Sequence, residues 1–201
     1  MKIGFAFCGS FCNHPGLLKI YEDIAREHEI VPILSENAAK YSTRFGTAED
    51  FVTRVEAVAG RRAVRNIVEA EPLGPQGAME ALVIAPCTGN TLAKLAHGIA
   101  DDMLTTVVLA AKCKQLVSPS MNTAMLENPI TQDNIATLEK YGFTVIPSES
   151  GVLACKDVGS GRLPKEDVLL DYIFRAIAKP KDLAGLRIAV TAGPTQEPLD
   201  P

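Results

Sequence analysis

The chain has 201 residues, 47% of them hydrophobic, and a formal net charge of −4. That suits one domain of generous size with a full core, and the slightly acidic balance excludes the basic footprint of a nucleic-acid binder or of a protein held on an anionic membrane. No apolar run reaches the roughly 18 residues of a membrane span.

The opening Met1–Phe7 is too short for a signal peptide and reads as a first strand over residues 2–7. Cys8-Gly9-Ser10-Phe11-Cys12-Asn13 is then a turn of mostly small residues. After Pro15, Leu17, Leu18, Tyr21 and Ile24 share one helical face. The turn lacks G-x-G-x-x-G, so the usual dinucleotide fingerprint is absent. His14, in this turn, reads as a solvated helix start. Ile30–Leu34 is a second strand ending in Ser35-Glu36-Asn37. Residues 36–46 are polar, Thr47–Ala59 is an amphipathic helix with Phe51, Val55 and Val58 on one side, and Arg61–Val68 reads as a short basic helix. Glu71-Pro72-Leu73-Gly74-Pro75 reads as a loop, because two prolines and a glycine break regular structure.

Ala81–Ala85 is apolar without alternation, as in a strand buried on both faces, and it runs into Pro86-Cys87-Thr88-Gly89-Asn90. Thr88 or Asn90 can cap the helix that follows, with Leu92, Leu95 and Ile99 on one face. His97 on that helix reads as a surface or oligomer contact. A strand, a tight turn and a helix start form an anion site. Asp101–Ala111 is the next helix, Gln115–Ser118 a strand, and Pro119-Ser120-Met121-Asn122 a fourth strand-end loop. Pro129–Tyr141 is a helix with Ile130, Ile135 and Leu138 inward, ended by Gly142. Thr144–Pro147 is strand five. Residues 148–164 are glycine-rich with no clear period, and a loop of that length is usually functional, often a lid. Pro164–Ala178 is the last clear helix, Lys179–Gly185 a linker, and Leu186–Thr195 reads as the first strand of a new unit.

Short turns with Ser or Thr hydroxyls recur at successive strand ends and suit a mononucleotide phosphate and ribityl chain better than a dinucleotide. Five cysteines at irregular spacing fit the reduced thiols of a cytoplasmic protein. Cys8 and Cys12 have no second cysteine pair nearby, so they are not read as a metal site.

Specific motifs sharpen this. Pro119-Ser120-Met121-Asn122-Thr123-Ala124-Met125 resembles the P-x-M-N-x-x-M motif of phosphopantothenoylcysteine decarboxylases. Leu153-Ala154-Cys155-Lys156-Asp157-Val158-Gly159-Ser160-Gly161-Arg162 resembles the substrate-recognition lid of the same enzymes. Both place the chain near the family of homo-oligomeric, FMN-containing cysteine decarboxylases. Val190–Pro201 is similar to the opening of the synthetase half of the bifunctional decarboxylase/synthetase of coenzyme A synthesis. The N-terminal half is different. Thr43-Arg44-Phe45-Gly46, Ala70–Pro75 and Ile84–Asn90 look like the B-type subunit of dipicolinate synthase, a relative of the same fold. The decarboxylases carry a catalytic histidine shortly before the I-A-P strand end, and here Glu69–Gly74 contains none.

The resemblance implies an α/β protein with a three-layer flavodoxin-like Rossmann fold and a parallel sheet. Residues 1–178 would form the FMN-binding domain, and 179–201 a linker and the start of a truncated synthetase-like segment. It implies FMN as cofactor, a small-molecule substrate, a homo-oligomer (trimer or dodecamer), and a synthetase domain or a dipicolinate synthase A-type subunit as partner. The reaction implied is FMN-dependent decarboxylation of 4'-phosphopantothenoylcysteine, with a dipicolinate synthase B-like subunit as the alternative. Asn122 would hold the substrate carboxylate and Cys155 would act as the acid. Gly9, Ser10, Ser35, Thr88, Asn90 and Met121 map to strand ends where the family holds the flavin.

Overall fold

Apolar strands alternating with amphipathic helices bury everything only when the strands lie in the middle and helices cover both faces. The computed structural model of the chain describes residues 1–73, 79–152, 158–178, 183 and 185–191. In chain order the elements begin with β1 (Lys2–Phe7), α1 (His14–Ala25), β2 (Glu29–Leu34), α2 (Glu36–Lys40), α3 (Ala48–Ala59) and α4 (Ile67–Ala70). They continue with β3 (Ala81–Cys87), α5 (Gly89–Ala96), α6 (Met103–Ala110), β4 (Lys114–Pro119), α7 (Thr123–Leu126) and α8 (Pro129–Lys140). β5 (Thr144–Val145), β6 (Glu149–Val152), β7 (Val158–Arg162) and α9 (Glu166–Ile177) complete the described elements.

β1 to β5 form one parallel sheet in the order β2-β1-β3-β4-β5. This is the flavodoxin-like order, and the chain changes direction across the sheet between β1 and β3. Period-two alternation sends Phe5, Phe7 and Val83 toward α1, α3 and α9, while Ala6, Leu82 and Ile84 face α5, α6 and α8. Phe5, Phe7 and Tyr21 meet edge-on or tilted in the first of these layers, each ring contributing about 1.5–3 kcal/mol through burial. Pro86 sits where the β3–β4 register shifts between Ile84 and Cys87, the kind of irregularity that tolerates a proline inside a sheet.

Several sequence expectations change. Arg61–Val68 is not a helix. Gly60 ends α3 in the left-handed region, and the chain then runs extended along the open edge of β2. Val64 N–H donates to the Pro32 carbonyl at 2.8 Å and Leu34 N–H to the Val64 carbonyl at 3.0 Å. The chance to pair that edge and bury Ala63 and Val64 outweighs helix propensity, and helix begins only after the Asn66 cap. Glu71–Leu73 is a 3-10 turn rather than open loop, with Pro72 at a position that needs no N–H donor. Ile99 lies past the end of α5 and Ile130 faces solvent, so neither is a core position. In the glycine-rich stretch after β5, β6 and β7 pair as an antiparallel ribbon, and residues 153–157 lie outside the described residues. Residues 186–191 form no strand and are exposed; they have no strand beside them with which to pair.

Candidate functional site

The carboxyl ends of β1, β3 and β4 converge, and each delivers its own turn there. After β1, Ser10 takes a left-handed conformation (φ 63°, ψ 49°), rare for a residue with a side chain, and turns the chain into α1. Asn13 Nδ2 donates to Ser10 Oγ at 2.8 Å and to Ser120 Oγ at 2.7 Å, and the two serine hydroxyls are 3.3 Å apart. Ser120 Oγ in turn donates to the Gly161 carbonyl at 3.3 Å, while its backbone N–H donates to the Cys87 carbonyl at 2.9 Å. One small polar network thus ties the first turn, the loop after β4 and the β6–β7 ribbon together.

Glycines permit the close approaches. Gly161 has φ +112°, and a Cβ there would collide with the Met121 carbonyl oxygen, which lies alongside because Met121 N–H donates to the Gly161 carbonyl at 3.2 Å. At Gly89 a Cβ would sit 3.2 Å from Met125 Cε and 3.4 Å from Met121 Sδ, so both methionines close over the start of α5.

The helix starts are capped by the expected residues. Thr88, not Asn90, caps α5, accepting from Thr91 N–H at 3.3 Å. The next amides, of Gly89 and Asn90, have no acceptor within the helix. Asn122 caps α7 through Oδ1, which accepts from Ala124 N–H at 2.8 Å. Ser35 caps α2, and its own N–H donates to the Phe7 carbonyl at 3.0 Å, beside the end of β1.

Ser10, Met121 and Asn122 line one cleft of about 970 Å³ between α1, the β4–α7 loop and the start of α9, a volume in the range of small-molecule sites. Gly9 and Thr88 meet at the β1/β3 switch point, where a Cβ on Gly9 would lie 3.3 Å from Thr88 Cγ2. Ser35 and Asn90 are not among the residues lining the cleft. Cys155 lies outside the described residues. Sequence reasoning passed over Asn13 and Ser120 as site residues: both sit in turns it singled out, but their contact spans 107 positions and leaves no local signal.

His14 is buried rather than solvated, at 6% exposure. Its ring stacks on Phe51 at 4.2 Å and Nε2 lies 2.9 Å from the Cys8 carbonyl, so the first turn is clamped from beneath. Burial lowers its pKa, opposed by the Cys8 and Gly9 carbonyls. Burial pushes the Cys8 thiol up to about 11 and raises that of Cys87, so both are inert apolar groups at neutral pH.

Residues 1–178 match the Flavoprotein family. The chain belongs to that family. The flavoprotein is 39% identical over 184 residues to the coenzyme A biosynthesis bifunctional protein CoaBC of Mycobacterium tuberculosis, covering 87% of this chain and 42% of the relative. It therefore spans about two fifths of the length of the curated relatives it matches. Among solved structures it superposes on the FMN-dependent cysteine decarboxylase SpaF with a TM-score of 0.67 at 27% identity, covering 89% of this chain and 98% of that one. A Cys-to-Ser mutant of PPC decarboxylase complexed with pantothenoylaminoethenethiol matches with a TM-score of 0.68 at 21% identity, covering 86% and 95%. The B-type subunit of dipicolinate synthase from Bacillus halodurans gives 0.68 at 23%, covering 88% and 90%. These last two likenesses speak to the fold alone, which is the flavodoxin-like α/β fold expected from the sequence.

Proposed function

We propose that the flavoprotein binds FMN and decarboxylates 4'-phosphopantothenoylcysteine to 4'-phosphopantetheine, a carboxy-lyase step of coenzyme A biosynthesis. The observation that carries this reading is Asn122, presented at the head of α7 on the wall of a cleft that opens beside the β1/β3 switch point. The residues at that point fit a flavin mononucleotide. Gly9 has no side chain to obstruct it, Ser10 supplies a hydroxyl, and the first-turn amides of Gly89 and Asn90, without acceptors inside the helix, suit an anionic group. FMN would supply a two-electron acceptor for oxidation of the substrate's cysteine moiety, which makes loss of CO₂ possible, and would return the same two electrons to the enethiol that is left.

The chain's own residues do the rest. Asn122 uses Oδ1 on Ala124 N–H, which orients its amide, and the amide donors hold the substrate carboxylate. Cys155 supplies a proton to the enethiol carbon left after CO₂ departs. The Asn13–Ser10–Ser120 network fixes the wall on which both ligands rest. Residues 179–201 would be a linker and the beginning of a synthetase-like segment, as the partial coverage of the CoaBC relatives supports. The protein would be cytoplasmic; no helix among the described residues is long and apolar enough to cross a membrane. It would assemble as a trimer or a multiple of three.

Turnover of phosphopantothenoylcysteine by the yellow protein tests the reading. Cys155→Ser should stall at the enethiol, lighter than the product by one H₂, which mass spectrometry reads directly. The second reading, a dipicolinate synthase B-like subunit, is favoured by the histidine-free sequence Glu69–Gly74. It would prevail if neither protein releases carbon dioxide or enethiol while FMN is bound.

A further inference from the structure

The network between the first turn and the loop after β4 has a proton order. Asn13 Nδ2 carries two hydrogens and donates twice, to Ser10 Oγ at 2.8 Å and to Ser120 Oγ at 2.7 Å, so both hydroxyls accept. Each hydroxyl keeps one proton of its own. Ser120, only 4% exposed, gives its proton to the Gly161 carbonyl, which can only accept. The Ser10 proton then has two destinations. One is Ser120 Oγ, which at 3.3 Å is long for a pair of hydroxyls. The other is an acceptor in the cleft that Ser10 and Asn13 both line. Beyond Ser120, the Gly161 carbonyl also accepts from Met121 N–H, and the Ser160 carbonyl accepts from Thr123 Oγ1. The ribbon therefore grips the chain on both sides of Asn122. Asn13 joins that docked ribbon to the turn that meets the flavin.

We infer that Asn13 is a positioning residue that makes Ser10 a hydrogen-bond donor toward FMN and couples flavin binding to docking of the β6–β7 ribbon. This rests on the proposed FMN site and deepens it. Without an acceptor in the cleft, the Ser10 proton turns to Ser120 Oγ, which then has two donors competing for one oxygen. When a flavin oxygen takes the Ser10 proton, Ser120 Oγ is left to Asn13 and its own proton to Gly161. Fixing Ser10 also fixes the plane of the Asn13 amide, and with it the Ser120 hydroxyl that holds the ribbon. Linkage makes the effect mutual: a ribbon that docks more firmly with FMN bound must in turn raise the affinity for FMN by the same factor.

The experiment is hydrogen exchange on the full chain, flavin-free and saturated with FMN, with flavin fluorescence giving the affinity. In the parent protein FMN should slow exchange of residues 158–162 by about fivefold or more. In Asn13→Ala and in Ser120→Ala that slowing should vanish, while β1 and β3 stay protected, which shows that both variants are folded. Ser120→Ala leaves the Ser10–Asn13 contact in place and carries the test alone if Asn13→Ala does not fold. It should also bind FMN more weakly by up to the same factor; unchanged FMN affinity there overturns the coupling. A residue that only supports the wall would act differently: its loss would speed ribbon exchange equally with and without FMN and keep the slowing by FMN intact. That result overturns the coupling, as does a parent ribbon indifferent to bound FMN. Turnover of phosphopantothenoylcysteine, run in parallel, separates the two levels. Bound FMN and turnover without ribbon protection leave the proposed function standing and remove the coupling, whereas a parent protein that binds no FMN removes both.

Discussion

At the residue scale, Gly161 is the position with least freedom. Its φ of +112° and the Met121 carbonyl beside it leave no room for a Cβ. Gly161→Ala should destabilise the protein by about 1–3 kcal/mol in urea unfolding and weaken ligand binding in the cleft. His14 gives a pH signature. Its pKa is lowered by burial in the folded state, so the unfolded chain takes up more protons as pH falls below the ordinary histidine value. Stability should therefore rise with pH between the depressed folded pKa and about 6.5 and level off above it. Melting wild type and His14→Asn across pH 5 to 8 checks this: the variant should lose most of that dependence. Asn90 separates cap from cofactor. An aspartate in the first turn of α5 favours the helix by about 0.3–1 kcal/mol through the helix dipole, yet in the proposed FMN site it would face an anionic phosphate. Asn90→Asp should thus melt no lower without flavin while binding FMN more weakly; unchanged FMN affinity would leave Asn90 a plain surface residue.

At the element scale, the β6–β7 ribbon docks on the segment from Ser120 to Glu127 through hydrogen bonds, among them Ser160 Oγ donating to Glu127 Oε1 at 2.9 Å. Thr123 Oγ1 donates to the Ser160 carbonyl at 2.7 Å, and a Cβ on Gly159 would collide with that same hydroxyl. Gly159→Ala should lift the ribbon from α7 with little loss of global stability, because the main sheet and both helical layers are untouched. Hydrogen exchange would then rise in residues 158–162 and stay constant in β1 and β3. Exchange that rises everywhere would show that the ribbon is part of the cooperative core. The same reasoning explains why the ribbon escaped a reading by periodicity. Its strands are short and rich in glycine and serine, and their pairing depends on what they dock against.

At the scale of the whole molecule, large apolar side chains remain exposed on several elements, among them Val68 at 75%, Leu109 at 64% and Ile130 at 69%. Scattered singly such residues mean little, but with the family resemblance they support membership of a larger assembly. Light scattering on the flavinated protein should give a trimer or a multiple of three. A stable, fully flavinated monomer would count against assembly as a condition of cofactor binding.

Strand and helix order, the strand-end turns and the motif around Asn122 were legible in the sequence because each is written in contiguous residues. Uninterrupted apolar runs mark strands buried on both faces, helical spacing marks one-sided helices, and caps sit next to what they cap. The flavodoxin-like parallel sheet was implied by the family motifs, not by any local pattern, and its order β2-β1-β3-β4-β5 was read from the structure. Contacts between distant segments were decided only by the tertiary structure. Arg61–Val68 has the composition of a helix, yet the part before Asn66 became an edge cover because β2 offered open backbone groups to pair. His14 looked like a polar helix start and was buried because Phe51, from a later helix, closed over it. Asn13, Ser10 and Ser120 form one network because parallel strands bring their carboxyl ends to one edge, whatever their separation along the chain. Local spacing records periodicity and capping, whereas burial and the pairing of polar groups are set by neighbours that only the folded chain supplies.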